Sequence, residues 1–250
     1  MYLDEKDIER LRTVYNSEHP QERPIKAGDS WNEIRRRLQD KCKTGRAECI
    51  ITSLLQKPRA PADWKVNPEE WLTSDDIEKL EKKFERLFAG YEYVGTFPID
   101  FDAQSETGQC LVSALCSMDI EKLANEGKTQ IGIVFNTDVS TGPGEHWVAV
   151  FCDIRPELEY PRFTYFDSYA QRPEKEIQKL MKRWKVKWDA LKKHEKPMEL
   201  TYNKTRHQYK DSQCGTYCLY FHYCCLTGIP MEDRVPDDVV MGLRGLMFKV

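Results

Sequence analysis

Four residues carry the chemistry this sequence can do, and the first of them is Cys214. It stands in Asp211-Ser212-Gln213-Cys214-Gly215-Thr216-Tyr217, directly before an apolar run that reads as a helix. A thiol at a helix N-terminus faces unpaired backbone N–H groups and the positive end of the helix dipole, which favour thiolate and therefore nucleophilicity. Gly215 lets another segment approach closely and leaves a backbone N–H free for a developing oxyanion. Burial as an inert thiol is the commoner fate of a free cysteine, so the choice among nine cysteines rests on partners. A cysteine nucleophile needs a base, and His146 is the best placed of five histidines. It starts the β-like run His146-Trp147-Val148-Ala149-Val150 after a loop containing Gly142 and Gly144. His19 and His194 lie in charged surroundings, and His222 falls inside the apolar helix as a core histidine. The base needs an acceptor that fixes its tautomer, and Asp167 ends the next β-run, Phe163-Thr164-Tyr165-Phe166. Gln208 offers a neutral amide as a second oxyanion donor. The order His, Asp, Gln, Cys at intervals of 21, 41 and 6 residues predicts nucleophilic acyl chemistry.

That order, with His146-Trp147 and Gln213-Cys214-Gly215 as its fixed points, resembles the ubiquitin-like-protein protease family, which includes the SUMO-specific proteases and adenain. Within it the likeness is greatest to the polyprotein-processing proteases of African swine fever virus and related large DNA viruses. It rests on the stretch from Asn136 to Ala149 and on Arg206-His207-Gln208 through Gly215, and covers roughly residues 68 to 230, with a weak likeness at Glu48 to Thr52. The resemblance implies an α+β fold: a papain-like core in permuted order, with a central mixed sheet flanked by helices. It implies a cysteine peptidase that cuts after a Gly-Gly pair, with Cys214, His146, Asp167 and Gln208 as catalytic residues and no cofactor. Trp71 and Leu72 match the Trp-Leu at the start of the family domain. With Trp147 and Gly215 they would line the substrate path, the two indoles closing a tunnel that only glycines pass. On its residues alone, Trp71 reads equally as a core aromatic at a helix edge. Position 213 departs from the pattern, being Gln where SUMO proteases have Asp. The expected function is processing of viral structural polyproteins at Gly-Gly-X sites, in the host cytoplasm and the virion. The alternatives are an isopeptidase acting on ubiquitin or a ubiquitin-like modifier, an acyltransferase resolving the same thioester, and a non-proteolytic interaction protein on this scaffold.

Several elements must position these groups. Residues 1–60 are charged and helix-leaning, with Ile8, Leu11, Val14 and Tyr15 at helical spacing, then Trp31, Ile34 and Leu38 behind Asp29 and Ser30 as caps, with Glu33 placed for a capping box. A Pro-rich stretch from Gln56 to Pro68 separates this arm from a protease core over 61–250. In the core, Ser74 caps a helix with the stripe Ile77, Leu80, Phe84 and Leu87, closed by Gly90. Strands follow at 131–135, 147–152, 163–166 and 198–202. Pro173 opens a helix with Ile177, Leu180, Met181, Trp184, Trp188 and Leu191 on one face. The last helix runs from Gly215 to Leu226, with Gly228 and Pro230 as its stop.

Composition excludes several classes. With 250 residues, 40% hydrophobic and 32% charged, the chain reads as globular and not disordered. A net charge of −3 advertises no polyanionic partner for the whole molecule. The one basic stretch, 172–196, holds ten Lys or Arg against four acids, and nucleic-acid contact there is the alternative to a solvated helix face. No apolar run approaches a membrane span, and the acidic N-terminus lacks a secretory pattern. An odd number of cysteines without an export signal reads as reduced thiols of an intracellular compartment, with Cys110 and Cys116 as packing thiols and Cys42 and Cys49 unexplained. Cys214, Cys218, His222 and Cys225 share one helix and cannot converge on an ion, so no metal site is expected.

Overall fold

Five strands form one mixed sheet in the order β1-β2-β3-β4-β5: Tyr91–Pro98, Gln130–Asn136, Trp147–Asp153, Arg162–Phe166 and Glu199–Tyr202. β1 runs parallel to β2, β2 and β3 are antiparallel, β3 and β4 are antiparallel, and β4 runs parallel to β5. The computed structural model describes residues 5–39, 42 and 57–249. The weakly matching Glu48 to Thr52 segment, with Cys49, lies outside the described residues.

The side-chain period of two decides which layer each strand residue enters. Along β3, Val148, Val150 and Cys152 enter one apolar layer and Trp147, Ala149 and Phe151 the other. The first layer is closed by helix α6, Lys175–Ala190, whose Trp184 stacks on Phe163 of β4 at 5.1 Å. The second is closed by α3, Ser74–Leu87, and by α7, Cys214–Thr227, which packs on β3. α7 is apolar on nearly all sides because it lies between the sheet, α3 and the last helix, α8, Asp237–Met247. Two short helices, α4 at Ser113–Cys116 and α5 at Ile120–Asn125, precede β2. The N-terminal helices α1, Glu5–Glu18, and α2, Ser30–Arg37, place Leu11, Tyr15 and Ile34 in the same layer as Leu80 and Phe84 of α3.

The sequence expectations hold for the α+β class and for the four strands it names, and differ in detail elsewhere. α3 is capped one residue earlier than expected: Thr73 accepts from the Asp76 N–H and Asp76 answers the Thr73 N–H, a complete capping box. Asp29 precedes α2 without a capping bond, its carboxylate taking the Asn32 amide instead. Cys110 and Cys116 are joined in a disulfide and are not the free packing thiols expected, because the Gln104–Cys110 bridge turns the loop back on the end of α4. Cys42 is disulfide-bonded as well. Among the described residues no helix is long and apolar enough to cross a membrane, and no group of three His, Cys, Asp or Glu is placed to hold a metal.

Candidate active site

His146 is the residue before β3 and Asp167 the residue after β4. These strands are antiparallel neighbours, Ala149 opposite Phe166, so both side chains emerge at one end of the sheet. His146 Nε2 lies 2.7 Å from Asp167 Oδ1. The buried carboxylate is fixed by its own turn, Oδ1 accepting the Tyr169 N–H at 3.0 Å and Oδ2 the Gln171 N–H at 2.9 Å. Asn203, just after β5, brackets the Asp167 main chain: its Oδ1 accepts the Asp167 N–H at 2.9 Å and its Nδ2 donates to the Asp167 carbonyl at 2.7 Å. With Nε2 committed to Asp167, Nδ1 is the ring nitrogen left to serve Cys214. Burial alone would lower the affinity of this ring for a proton. The interactions with Asp167 and Cys214 outweigh it and raise His146 to about 9, which favours the imidazolium at neutral pH.

Cys214 is the first residue of α7 and is buried. Gln213 before it makes no capping bond, so no capping side chain is committed to the first-turn N–H groups of α7, in contrast to α3. Burial pushes Cys152, Cys218 and Cys225 well up, and Cys224 up to about 12, which leaves inert thiols.

Gln208 joins the cluster through the two residues that follow Asp167. Its Oε1 accepts the Ser168 hydroxyl at 2.6 Å, which turns the NH₂ end toward the Lys210 carbonyl at 2.6 Å and the Tyr169 hydroxyl at 3.3 Å. The backbone N–H groups of His207 and Gln208 both donate to the Ser168 carbonyl, at 2.9 Å each. The Tyr169 ring stacks on His146, centroids 4.8 Å apart. His222, by contrast, is the core histidine its sequence position implied. Its Nδ1 meets Glu81 at 2.7 Å and its Nε2 the Val150 carbonyl at 3.1 Å, all away from the cleft.

On the other rim, Trp147 Nε1 donates to the Leu72 carbonyl at 3.0 Å. Gly215 is favoured here by space: a Cβ would lie 3.1 Å from Leu72 Cβ and 3.3 Å from Trp147 Cδ1, so the rim would have to give by a few tenths of an ångström. Trp71 stands 37% exposed on this rim, above a groove of about 610 Å³ that Leu72, Phe97, Pro143 and Trp147 also line. The rim is held from behind by Arg244 of α8. Its guanidinium donates to the Pro68 carbonyl at 2.8 Å, to the Glu70 carbonyl and to Thr216 Oγ1 at 3.2 Å, and lies 4.1 Å from the Trp64 ring centroid. Sequence reasoning missed Asn203, Ser168, Tyr169 and Arg244. Ser168 and Tyr169 adjoin Asp167 and were findable by asking what fixes a carboxylate; nothing in the sequence marks Asn203 or Arg244.

Residues 123–247, half of the chain, match the family described as Ulp1 protease family, C-terminal catalytic domain. A thiol protease of Acanthamoeba polyphaga mimivirus is 30% identical over 170 residues, 68% of this chain and 52% of that protein. A cysteine protease of African swine fever virus is 33% identical over 123 residues, 48% of this chain and 44% of that protein. The chain thus matches about half the length of these relatives. The crystal structure of the African swine fever virus protease has the same fold, with a TM-score of 0.65 at 19% identity over 99% of this chain and 91% of that one. So has the yeast Ulp1 protease domain solved in complex with Smt3, the orthologue of SUMO, with a TM-score of 0.52 at 15% identity over 86% of this chain and 92% of that one. A catalytic-domain match that ends in α8 and takes in His146, Asp167, Gln208 and Cys214, together with viral protease relatives, means that the chain belongs to the Ulp1 protease family of cysteine proteases.

Proposed function

We propose that the chain is an endopeptidase that cleaves after Gly-Gly and processes viral structural polyproteins during virion maturation, acting in the host cytoplasm and the virion. The observation that carries the chemical reading is the 2.7 Å His146–Asp167 pair beside a cysteine at the uncapped start of α7. His146 holds at rest the proton that Cys214 gives up, and Asp167 orients the imidazolium. The thiolate attacks the carbonyl of the second glycine, and the oxyanion is met by the backbone N–H of Cys214 and by the Gln208 amide, which must turn from its bond to Tyr169. His146 protonates the leaving amine, and water, deprotonated by the same ring, hydrolyses the thioester. Trp71, Leu72, Trp147 and Gly215 support the Gly-Gly preference, since the bond between Trp147 and Leu72 closes the rim where a substrate side chain would have to fit. Cys214→Ser should abolish cleavage of Gly-Gly-X peptides in a library while leaving the melting temperature unchanged; persistent turnover removes the assignment.

A second substrate, a ubiquitin-like modifier, is favoured by the fold shared with the Smt3-bound protease domain. Modifier-linked fluorophores assayed beside Gly-Gly-X peptides separate the two. The division into an arm over 1–60 and a core over 61–250 belongs to the same reading, with the arm as the place for a scaffold or host partner. A polyanion contact through 172–196 would use charge alone. Trp184 and Trp188 are buried, and Lys179, Lys185, Lys193 and Lys196 pair with Asp102, Asp189, Glu121 and Glu159. DNA affinity that does not fall between low and moderate salt removes this contact.

A further inference from the structure

We infer that the leaving-group side of the cleft selects an acidic residue, through an arginine held between two tyrosine rings. The inference rests on the reading above, which gives the tryptophan rim to the glycine half of the substrate. Tyr169, Arg206 and Tyr209, none of which lines the tryptophan groove, form a second cluster beside His146. Tyr169 stacks on His146, so an amine protonated by that imidazole departs past this ring. The Arg206 guanidinium lies 5.2 Å from the Tyr169 centroid and 4.5 Å from that of Tyr209. Its Nε donates to the Gln208 carbonyl at 2.9 Å, tying it to the residue that carries the oxyanion amide. Tyr209 is itself braced by the Arg234 guanidinium at 4.6 Å.

Arg206 is therefore oriented at one end while its terminal nitrogens have no acceptor, and no carboxylate lies within ion-pairing distance of it among the described residues. Its cationic neighbours are already spent, Arg234 on Asp237 and Lys210 on Asp238 and Glu69. A guanidinium fixed by rings offers two parallel N–H donors that match a carboxylate, and the entropy of ordering it has been met by the fold. Arg206 and Tyr209 are exposed and the Asp211 charge also reaches Tyr169, both of which hold the preference to a modest size. The substrate that fits has Asp or Glu in the first residues after the cleaved bond.

Three peptides identical through Gly-Gly, followed by Asp, Ala or Lys, test this. The wild-type protein should favour the Asp over the Lys peptide in kcat/KM by about fivefold at low salt, the upper range for one exposed charge pair, and less at high salt. Arg206→Gln should bring that ratio to about one, and Arg206→Glu should invert it. A ratio taken within one protein cancels any loss of Gln208 placement or of folded material. Equal wild-type rates on the Asp and Lys peptides, or a preference that survives Arg206→Gln, overturn the inference alone. Failure to cleave any of the three, by protein whose Cys214 still reacts with iodoacetamide, sinks the Gly-Gly reading and this inference with it.

Discussion

At the scale of single residues, His146 sets the pH behaviour. Burial works against its imidazolium, and interaction with Asp167 and Cys214 outweighs it, raising the pKa from 6.5 to about 9. The stability it contributes is whole below pH 6.5 and is lost as pH climbs through about 9. In the proposed mechanism the same group supplies the proton to the leaving amine, so kcat/KM should fall on an upper limb near pH 9. Asp167→Asn should move that limb toward neutral pH and cost at least about a hundredfold in rate, because the ring loses its charged acceptor and its fixed tautomer. The pH profiles of peptide cleavage and of Cys214 alkylation check both, and an unshifted limb would remove Asp167 from the role. The candidates His146, Asp167, Gln208 and Cys214 stood out in the sequence because each has a chemical type suited to one step of the proposed mechanism and a place beside a recognisable strand or helix, and the fold sets His146 against Asp167. Asn203 was not, because an asparagine after a short strand looks like any turn former until the fold sets it against Asp167, 36 positions away.

At the scale of elements, the tryptophan rim depends on α8, a helix the sequence pattern did not announce. Pro236 and two interior glycines disguise it, and its amphipathic face is recognisable only once α7 is known to pack against it. β1 was hidden for a similar reason. Its alternation of Tyr91 and Tyr93 breaks at Gly95, where φ is +146° and the register with β2 shifts. Arg244→Met keeps the length and removes the donors to the Pro68 and Glu70 carbonyls, and hydrogen bonds to a charged group are each worth about 1.5–3 kcal/mol. We expect a lower melting temperature and a relaxed requirement for glycine, read as a rise in cleavage of a Gly-Ala-X peptide relative to Gly-Gly-X. Alkylation of Cys214 by iodoacetamide should stay at the wild-type rate, which separates loss of the rim from loss of the nucleophile. If selectivity for glycine is unchanged, the rim does not depend on this clamp.

Across the whole molecule, the helix that bears Cys214 is anchored by a buried polar network. Glu81 of α3 meets His222 Nδ1 at 2.7 Å and accepts the Tyr91 hydroxyl of β1 at 2.7 Å, while His222 Nε2 reaches the Val150 carbonyl of β3 at 3.1 Å. Both His222 nitrogens thus face acceptors, and burial followed by the Glu81 charge keeps the Tyr91 phenol protonated as a donor. Glu81→Ala should lower stability by about 3–5 kcal/mol in denaturant melts, since it strands a buried partner. Replacing the pair together, Glu81→Leu with His222→Phe, should recover most of that loss. A single substitution that leaves the midpoint unchanged would show that the network is not an anchor. Sequence reasoning placed His222 in the core but not its partner 141 positions away, because long-range pairing follows from topology and not from local pattern. The Arg244 clamp carries one more consequence, for timing. All four residues assigned to the chemistry are made before α8, yet the clamp that positions Trp71 and Leu72 is among the last parts of the described chain to leave the ribosome. On the proposed function, a growing chain would therefore carry its nucleophile before its entrance is finished, and selective cleavage should wait for synthesis to pass residue 244.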